Sequence, residues 1–427
     1  MAAAAPTSEG SVAPNGPPVP GEPTLRWSSS AHSIAEIERE LAKIWAVPRR
    51  VAMVGAVEER HVAARTSVMN LVVVARRPKI GEHAATVIQQ LTGRHPSRTL
   101  LITSADPEGR SWLDANIQAY CVLPREDAAE TCAEQIQIRA GGAAGRHLEA
   151  IIAPLLVHDL PVTIWWPSEP PFSTGAARDL FAMADRLVVD GSGWSGDGLG
   201  RLRELAQAMD RDHLAVSDFA LVRQSRWREA IASVFDLPDF TPYLRYLKRI
   251  AVTYGTHDAT GAPGTTNVVK PIYHVAWLAS RLGMVVERPL APADGSKSKA
   301  AASPRSAPRQ TPGVAAPLHR GLVGVLRSPR SEVAVVVRPV GSTMPSGTTL
   351  RVELRAERRS SELRADVTAE AETVHVRVWL DGVEALERSF LAARRTEVDL
   401  LAEAIEAGGV DPVARDAIRV AAELTGG

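Results

Sequence analysis

The sequence predicts an α/β protein with two domains. The N-terminal domain is expected to hold a mixed or parallel sheet with helices on both faces, and a smaller α+β C-terminal domain an antiparallel sheet with terminal helices. Length is the first observation, because 427 residues, 45% of them hydrophobic, exceed one ordinary core. Early in the chain, short apolar runs alternate with helical patterns, which is typical of parallel sheets. Near its end, consecutive segments alternate apolar and polar residues, which favours an antiparallel sheet.

Composition divides the chain into four segments. Residues 1–25 are rich in Pro and Ala and predict a disordered tail. Residues 26–290 form the predicted N-terminal α/β domain. Residues 291–317 are rich in Pro, Ser and Ala without an apolar period, so we expect a flexible linker. Residues 318–427 form the predicted C-terminal α+β domain.

The densest apolar stretch, residues 141–167, predicts a helix followed by a central strand. Pro154 should end the helix in an irregular last turn. After Pro161, the β-branched and aromatic run VTIWW predicts a buried strand, so Trp165 and Trp166 are candidate structural anchors. The helix is indicated by apolar residues at i, i+3, i+4 and i+7, namely Leu148, Ile151, Ile152 and Leu155.

The other elements follow from the same periods and from turn residues. Predicted helices lie near 34–46, where Ser33 is a plausible N-cap, and near 84–91, 199–209, 225–236, 272–282, 396–406 and 412–424. Ser173 or Thr174 can cap a further helix. Predicted strands lie near 71–76, 99–103, 117–123, 132–139, 186–190, 214, 245–254, 333–337, 350–354, 363–367 and 374–378.

Charge and cysteine content exclude several classes of function. Lys plus Arg equals Asp plus Glu at 49 each, so no overall field favours nucleic acid or an anionic membrane. Because no run of about 18 apolar residues occurs, we expect no transmembrane helix. The first 25 residues do not resemble a secretory signal. Cys121 and Cys132 are too few for a disulfide scaffold and fit a reducing cytoplasm, although a single bridge between them stays open.

One loop contains two cations and an imidazole. Arg94, His95 and Arg98 lie in the segment RHPSR, directly before a predicted strand. The sharp interpretation is an anion site or a contact with a partner protein. The alternative is an ordinary solvated loop.

Two glycine-rich segments suggest phosphate binding. Residues 191–196, GSGWSG, fit G-x-G-x-x-G after the strand RLVVD and predict a dinucleotide loop if taken alone. The bulk of Trp194, the continuing glycines and the late position of the motif argue against this. Residues 141–145 could aim backbone donors at a phosphate, or could form a tight turn.

Signatures of catalysis and of metal binding are missing from the sequence. The 11 histidines form no pair at one-turn helical spacing, and there is no Cys-x-x-Cys. Neither a G-x-S-x-G elbow nor a P-loop is present. The residues by themselves therefore predict a soluble two-domain α/β protein without a visible catalytic apparatus.

Several segments together resemble the glucose-6-phosphate dehydrogenase assembly protein family, OpcA. The most specific are the WWP run and the spacing from Asp218 and Arg223 to Trp227 and Arg228. The full set is LVVV at 71–74, HPSR at 95–98, LDA at 113–115, PLLVHDLPVTIWWP at 154–167, VD at 189–190, the Asp218–Arg228 segment and WLASRLG at 277–283.

The resemblance implies a non-catalytic, cytoplasmic assembly factor and allosteric activator. It would bind glucose-6-phosphate dehydrogenase of the oxidative pentose phosphate pathway, with Asp218, Arg223, Trp227 and Arg228 as structural anchors. Ser97 departs from the family, since many relatives carry Cys there. The alternative is an enzyme or sensor of the same pathway that binds NADP or a sugar phosphate, through residues 191–196 or through the RHPSR loop.

Overall fold

The computed structural model of the protein describes residues 21–46, 52–54, 57–59, 64–65, 67–104, 108–122, 131–257, 266–293, 321–370 and 372–426. The chain forms two compact units, and each is built from three separate segments. The first unit comprises Met1–Val189, Ala208–Ser217 and Thr396–Gly409. The second unit comprises Asp190–Gln207, Asp218–Arg395 and Val410–Gly427.

The elements are numbered in chain order. The strands are β1 (Thr24–Ala31), β2 (Ala52–Val54), β3 (Val57–Glu59), β4 (Ala64–Arg65), β5 (Met69–Ala75), β6 (Ser97–Ser104), β7 (Trp112–Val122), β8 (Thr131–Gly141), β9 (Val162–Trp166), β10 (Arg186–Val189), β11 (Ala215–Asp218), β12 (Leu247–Thr256), β13 (Val285–Pro292), β14 (Leu322–Arg327), β15 (Glu332–Gly341), β16 (Thr349–Arg358), β17 (Ser361–Glu370), β18 (Thr373–Leu380) and β19 (Val383–Leu391). The helices are α1 (Ile34–Ala46), α2 (Pro78–Leu91), α3 (Gly142–Arg146), α4 (Leu148–Ile152), α5 (Gly175–Phe181), α6 (Leu199–Arg211), α7 (Phe219–Val222), α8 (Ser225–Phe235), α9 (Val269–Arg281), α10 (Glu397–Glu406) and α11 (Pro412–Leu424).

The sheet of the first unit has the order β1-β7-β8-β6-β5-β9-β10-β11, with β4 beside β8. Strands from β8 to β10 pair in parallel, whereas β1, β7 and β8 pair in antiparallel fashion. Every residue of β9 is buried, as expected for a parallel strand covered on both faces. Asn70 fixes the loop that leads into β9, because its side-chain amide donates to the Val157 and Leu160 carbonyls at 3.0 and 3.2 Å.

The predicted helix before β9 ends as its sequence indicates. α4 stops at Ile152, and Ala153–Leu155 continue as one turn of 3-10 helix that contains Pro154. The irregular last turn is thus confirmed. The four residues of the apolar stripe are all buried.

A disulfide joins Cys121 of β7 to Cys132 of β8. The two residues are directly opposite each other in the antiparallel pair, with a Cα–Cα distance of 4.0 Å. The single bridge that the sequence left open is therefore formed.

The sheet of the second unit has the order β13-β14-β15-β12-β16-β17-β18-β19 and is antiparallel except for the β12–β15 pair. Alternate residues of its strands are buried, for example Val352 and Leu354 of β16. This is the alternation that the sequence predicted. A mostly parallel sheet flanked by helices and an antiparallel sheet with terminal helices confirm the predicted fold class.

The units differ from the domain ranges expected from composition. β12 and α9 precede the expected linker, yet β12 pairs with β15 and β16 in the second unit. The range 291–317 lies between β13 and its neighbour β14 in the sheet. On either side of this connection, the Ala293 amide donates a hydrogen bond to the Gly321 carbonyl at 2.9 Å. Most of that range, and residues 1–20 of the expected tail, lie outside the described residues. Composition shows where a chain lacks a core, but strand pairing decides what the flanking segments join.

Candidate functional site

A buried carboxylate, Asp218, organises a polar cluster in the second unit. Its Oδ1 accepts hydrogen bonds from the Gly191 and Ala220 amides, each at 2.8 Å. Its Oδ2 accepts from the Tyr273 hydroxyl at 2.8 Å. Burial, and to a smaller extent Asp190, raise the pKa of Asp218, the three hydrogen bonds lower it, and the net value is about 6. Burial also raises the pKa of Tyr273 well above its ordinary value, so the phenol stays protonated and donates.

A second carboxylate, Asp190, lies closer to solvent and is paired. Arg223 donates from Nη1 to both Asp190 oxygens at 2.8 Å and to the Ser192 hydroxyl at 3.2 Å. Asp190 also accepts from the Ser192 amide at 3.1 Å and from its hydroxyl at 2.6 Å. The two candidate anchors Asp218 and Arg223 therefore belong to one hydrogen-bonded network.

This network consumes the donors of the glycine motif. The Gly191 and Ser192 amides bind carboxylates, the Gly193 amide donates to the Asp190 carbonyl at 3.1 Å, and the Trp194 amide donates to the Gly191 carbonyl at 3.4 Å. A Cβ at Gly191 would lie 2.5 Å from the Asp218 carboxylate, so the glycine is needed for this close approach. The first four amides of the motif are therefore engaged within the protein, which argues against a dinucleotide phosphate at this turn.

The ammonium group of Lys270, in the same cluster, is available to bind an anion. Lys270, at the start of α9, is largely buried, and no hydrogen bond to its ammonium is found among the described residues. Burial lowers its pKa and Arg223 adds to this, while Asp190 and Asp218 oppose it. Lys270 and Tyr273 were missed by sequence reasoning, because neither belongs to a motif.

The other two candidate anchors pack around a buried histidine. The Trp227 ring lies 5.2 Å from the His274 ring, centroid to centroid. Arg228 donates to the Leu221 carbonyl at 2.6 Å, near the end of α7. Burial lowers the pKa of His274 to about 3, with Arg228 adding to the effect, so this histidine is neutral at physiological pH.

The cationic loop of the first unit is divided by the fold. Arg94 and His95 are near the surface and share one carboxylate, because Glu406 of α10 lies 3.2 Å from Arg94 Nη2 and 3.0 Å from His95 Nε2. Asp399 of the same helix lies 3.8 Å from Arg94 Nη1. The charge of Arg94 is thus matched by carboxylates of α10, and Glu406 also contacts the His95 ring.

Arg98 does not join Arg94 and His95. Its side chain is buried, where Nε donates to Glu134 Oε2 at 2.5 Å and Nη1 donates to the Leu155 carbonyl at 3.0 Å. A guanidinium that is buried and hydrogen-bonded through Nε and Nη1 is unsuitable as a surface contact. Sequence spacing could not show this, since Glu134 lies 36 residues away.

The tryptophan pair lies in the interior of the first unit. Trp165 and Trp166 expose 0% and 3% of their surface. The Trp166 ring meets Phe181 of α5 edge-on, with centroids 6.0 Å apart. Their indole N–H groups have no acceptor in the described part of the chain.

A cavity of about 290 Å³ opens in the first unit at the amino ends of β5, β9 and β10. Its walls include His95, Thr163 and Arg186. Arg186 is occupied, because its guanidinium donates to the Ser217 hydroxyl and to the Ala407 and Gly409 carbonyls after α10. Arg186 therefore caps the turn that follows α10. The sequence analysis did not identify Arg186 as a candidate. No group of three or more potential metal ligands occurs among the described residues, and no helix there is long and apolar enough to cross a membrane.

Comparisons with known proteins identify two consecutive matches. Residues 88–207 match the glucose-6-phosphate dehydrogenase subunit N-terminal domain, and residues 214–418 match the corresponding C-terminal domain. Curated relatives from Nostoc punctiforme and Synechocystis sp. bear the provisional name OxPP cycle protein OpcA. They are 25% identical over 213 residues and 26% identical over 201 residues, which is 47% and 46% of this chain and 43% and 39% of theirs. The chain spans less than half the length of these relatives.

Solved structures resemble the chain only distantly. The transcriptional regulator Gal80p of Kluyveromyces lactis is 10% identical, with a TM-score of 0.43 over 84% of this chain and 88% of its own. A provisionally named oxidoreductase, yvaA of Bacillus subtilis, is 9% identical, with a TM-score of 0.43 over 83% of this chain and 95% of its own. Scores this low carry no argument about function.

Proposed function

The chain belongs to the glucose-6-phosphate dehydrogenase subunit family of assembly proteins, and on that premise we propose that it binds glucose-6-phosphate dehydrogenase as a non-catalytic assembly factor and allosteric activator. The observation that carries the proposal is the match to both domains of the family, in order, over residues 88–207 and 214–418. A cytoplasmic location follows from the proposed partner and is checked by cell fractionation.

The chemistry of the second unit supports a non-catalytic role. The carboxylates Asp190 and Asp218 are held by Arg223, Tyr273 and backbone amides, so both have their hydrogen-bonding capacity engaged within the unit. The same contacts turn the glycine motif inward. The cluster therefore fits a scaffold better than a site for hydride transfer.

Activation by such a protein is a coupling of binding equilibria. A chain that lends no catalytic group raises the rate of an enzyme by binding one conformation or oligomer of it better than another. Couplings of this kind are typically about 1 to 3 kcal/mol, and for equilibrium binding they are reciprocal. If the favoured state also binds substrate more tightly, saturating substrate must tighten the complex by the same factor.

The test measures both coupled binding equilibria with purified proteins. The affinity of the chain for the dehydrogenase is determined with and without saturating glucose 6-phosphate or NADP, beside the ligand affinities with and without the chain. We expect complex formation, no turnover by the chain alone, and equal coupling factors. Turnover of NADP that stays with the chain through repurification, or no complex with the dehydrogenase, would overturn the proposal. If both coupling factors are close to one while the dehydrogenase is still activated, the activation must act on assembly of the enzyme or on its catalytic step.

Of the three candidate contact residues Arg94, His95 and Arg98, only Arg94 and His95 are near the surface. Because Glu406 and Asp399 already contact Arg94, and Glu406 also contacts His95, a partner carboxylate at this loop must compete with α10. Arg94→Ala should leave stability within about 0.5 kcal/mol and weaken the complex if the loop is a contact. Unchanged affinity would remove the loop from the interface.

A second candidate function, a sensor of NADP or a sugar phosphate, is favoured by Lys270. This ammonium is largely buried beside Arg223 and has no hydrogen bond among the described residues, so an anionic ligand could use it. Calorimetry of the chain alone with NADPH and with glucose 6-phosphate tests this candidate. Binding that is lost in Lys270→Met would favour the sensor, and no heat with either ligand would exclude both.

A further inference from the structure

The ammonium of Lys270, at the second position of α9, is a donor group for which the fold supplies no acceptor. The Lys270 side chain is largely buried, yet it makes neither an ion pair nor a hydrogen bond among the described residues. Its Nζ atom is not fully enclosed, so the ammonium keeps an opening to solvent. A largely buried ammonium without an acceptor costs free energy, and a ligand that accepts its hydrogen bonds would recover that cost.

The neighbouring backbone holds the base of the Lys270 side chain in place. Gln224, 4% exposed, donates from its side-chain amide to the Lys270 carbonyl at 2.7 Å. The Val269 amide donates to Asn267 Oδ1 at 3.1 Å, and Asn267 Nδ2 donates to the Gly191 carbonyl at 2.9 Å. The first turn of α9 is thus tied to the start of α8 and to the glycine turn. Because the donor is presented from a fixed base, little freedom is lost when a ligand binds.

The two carboxylates of the cluster are engaged elsewhere. Asp190 and Asp218 both act electrostatically on the Lys270 ammonium, but neither forms an ion pair with it. Asp190 is held by Arg223 at 2.8 Å. Asp218 accepts from the Tyr273 hydroxyl and from two backbone amides. What remains unmet at Lys270 is therefore a set of hydrogen-bond donors rather than an excess of charge.

Arg223 adds further donors to the cluster. Its hydrogen bonds to Asp190 and Ser192 all start from Nη1, so Nε and Nη2 have no acceptor among the described residues. Neither atom is fully enclosed, and the side chain is 32% exposed. The guanidinium lies over the Phe219 ring at 5.7 Å, which limits its motion. A ligand oxygen at the Lys270 ammonium thus has a second cationic donor group in the same cluster.

The charges of the cluster restrict the class of ligand. Lys270 and Arg223 carry two positive charges, and Asp190 and Asp218 carry two negative charges when both are ionised. One negative charge on a ligand is favoured by direct contact with the ammonium. The second charge of a dianion meets the repulsion of both carboxylates in a site that is partly removed from water, where charges interact strongly. A carboxylate is therefore better suited to this site than a phosphate.

We infer that Lys270, together with Arg223, is a binding site for the carboxylate of a small organic acid. The site goes beyond the proposed binding of the dehydrogenase, because it needs no second protein. A carboxylate on a partner protein is less suited, since the ammonium is recessed and a protein would have to bring its backbone to the opening. The ligand also differs in charge from the NADP or sugar phosphate of the second candidate function.

The test measures binding of acetate to the full chain by saturation-transfer NMR, at constant ionic strength set with chloride. Lys270→Met removes the ammonium and keeps most of the apolar stem. Lys248→Met is the matched control, because Lys248 is exposed on β12 of the second unit. We expect saturable binding with a Kd of about 1 mM in the wild type and the control, and binding at least about tenfold weaker in Lys270→Met. Sulfate, a dianion, should bind more weakly than acetate.

Reductive methylation of the lysines keeps the test independent of variant folding. In the wild type, acetate should slow the methylation of Lys270 and leave that of Lys248 unchanged, as read by mass spectrometry of peptides. The inference would be overturned by methylation of Lys270 that acetate does not slow, by equal acetate binding in the wild type and Lys270→Met, or by sulfate binding more tightly than acetate.

The dehydrogenase complex is a separate readout. Absence of a complex with the wild type would overturn the proposed function and leave the acetate site standing. A Lys270→Met chain that loses the complex, beside a wild type that does not bind acetate, would place Lys270 in the protein interface and would overturn this inference alone.

Discussion

Tyr273 of α9 donates a 2.8 Å hydrogen bond to the carboxylate of Asp218 at the end of β11, and both side chains are almost completely buried. The same carboxylate accepts from the Gly191 amide. One acidic group thus joins α9 to the glycine turn within the second unit. Because the pKa of Asp218 is raised in the folded state, the free energy of unfolding depends on pH.

The first prediction concerns Asp218→Asn. The carboxyl has a pKa of 3.8 in the unfolded chain and about 6 in the folded one, so the folded state holds its proton more tightly. The stability that Asp218 contributes is full below about pH 4 and is lost as the pH rises through 6. In urea denaturation from pH 4 to pH 7, the free energy of unfolding of the variant should rise relative to that of the wild type. A constant difference between the two curves would contradict the prediction.

The second prediction concerns His274→Leu, for which the sign is opposite. The pKa of His274 falls from 6.5 in the unfolded chain to about 3 in the folded chain. Its stability contribution is full above pH 6.5 and is lost as the pH falls toward 3. The variant should therefore lose less stability than the wild type between pH 6.5 and pH 4. His213→Asn, at an exposed position with φ of 54°, is the control and should leave the acid limb unchanged.

The third prediction separates the arginines of the cationic loop. Arg98→Met removes the guanidinium that pairs with the buried Glu134 carboxylate and should cost about 3 to 5 kcal/mol of unfolding free energy. Adding Glu134→Leu should recover most of that loss, because both charges are then gone. Arg94→Ala should cost less than about 1 kcal/mol, since its ion pairs are exposed. Equal losses in Arg98→Met and Arg94→Ala would refute the division of the loop.

The fourth prediction is that Trp166 anchors the core. Trp166→Ala removes a buried ring in contact with Phe181 and should cost about 3 to 5 kcal/mol. Trp112→Ala is the control, because that ring is 39% exposed. A Trp166→Ala chain with an unchanged melting temperature and lost binding of the dehydrogenase would place Trp166 in the interface instead.

The fifth prediction concerns cleavage between Ala293 and Gly321. The composition of this segment favours protease cleavage there. Because β12 pairs with β15 and β16, the two fragments should stay together in native gel filtration and separate only in denaturant. Fragments that separate under native conditions would contradict the shared sheet.

The alternating patterns of the chain largely determine its elements. β9, the 3-10 turn at Pro154 and the alternating strands β15–β18 follow from local spacing, because burial on one or both faces imposes a period on the residues that supply it. Family membership was also readable from short segments. These signals are local, and a single sequence carries them in full.

Only the tertiary structure decided which polar groups meet. Arg98 resembles its neighbours Arg94 and His95 in sequence, yet the fold buries it against Glu134. The glycine motif resembles a phosphate loop, yet Asp218, 27 residues away, takes the first of its amides. A hydrogen bond depends on distances of about 3 Å between groups far apart in the chain, and local periods carry no information about such distances.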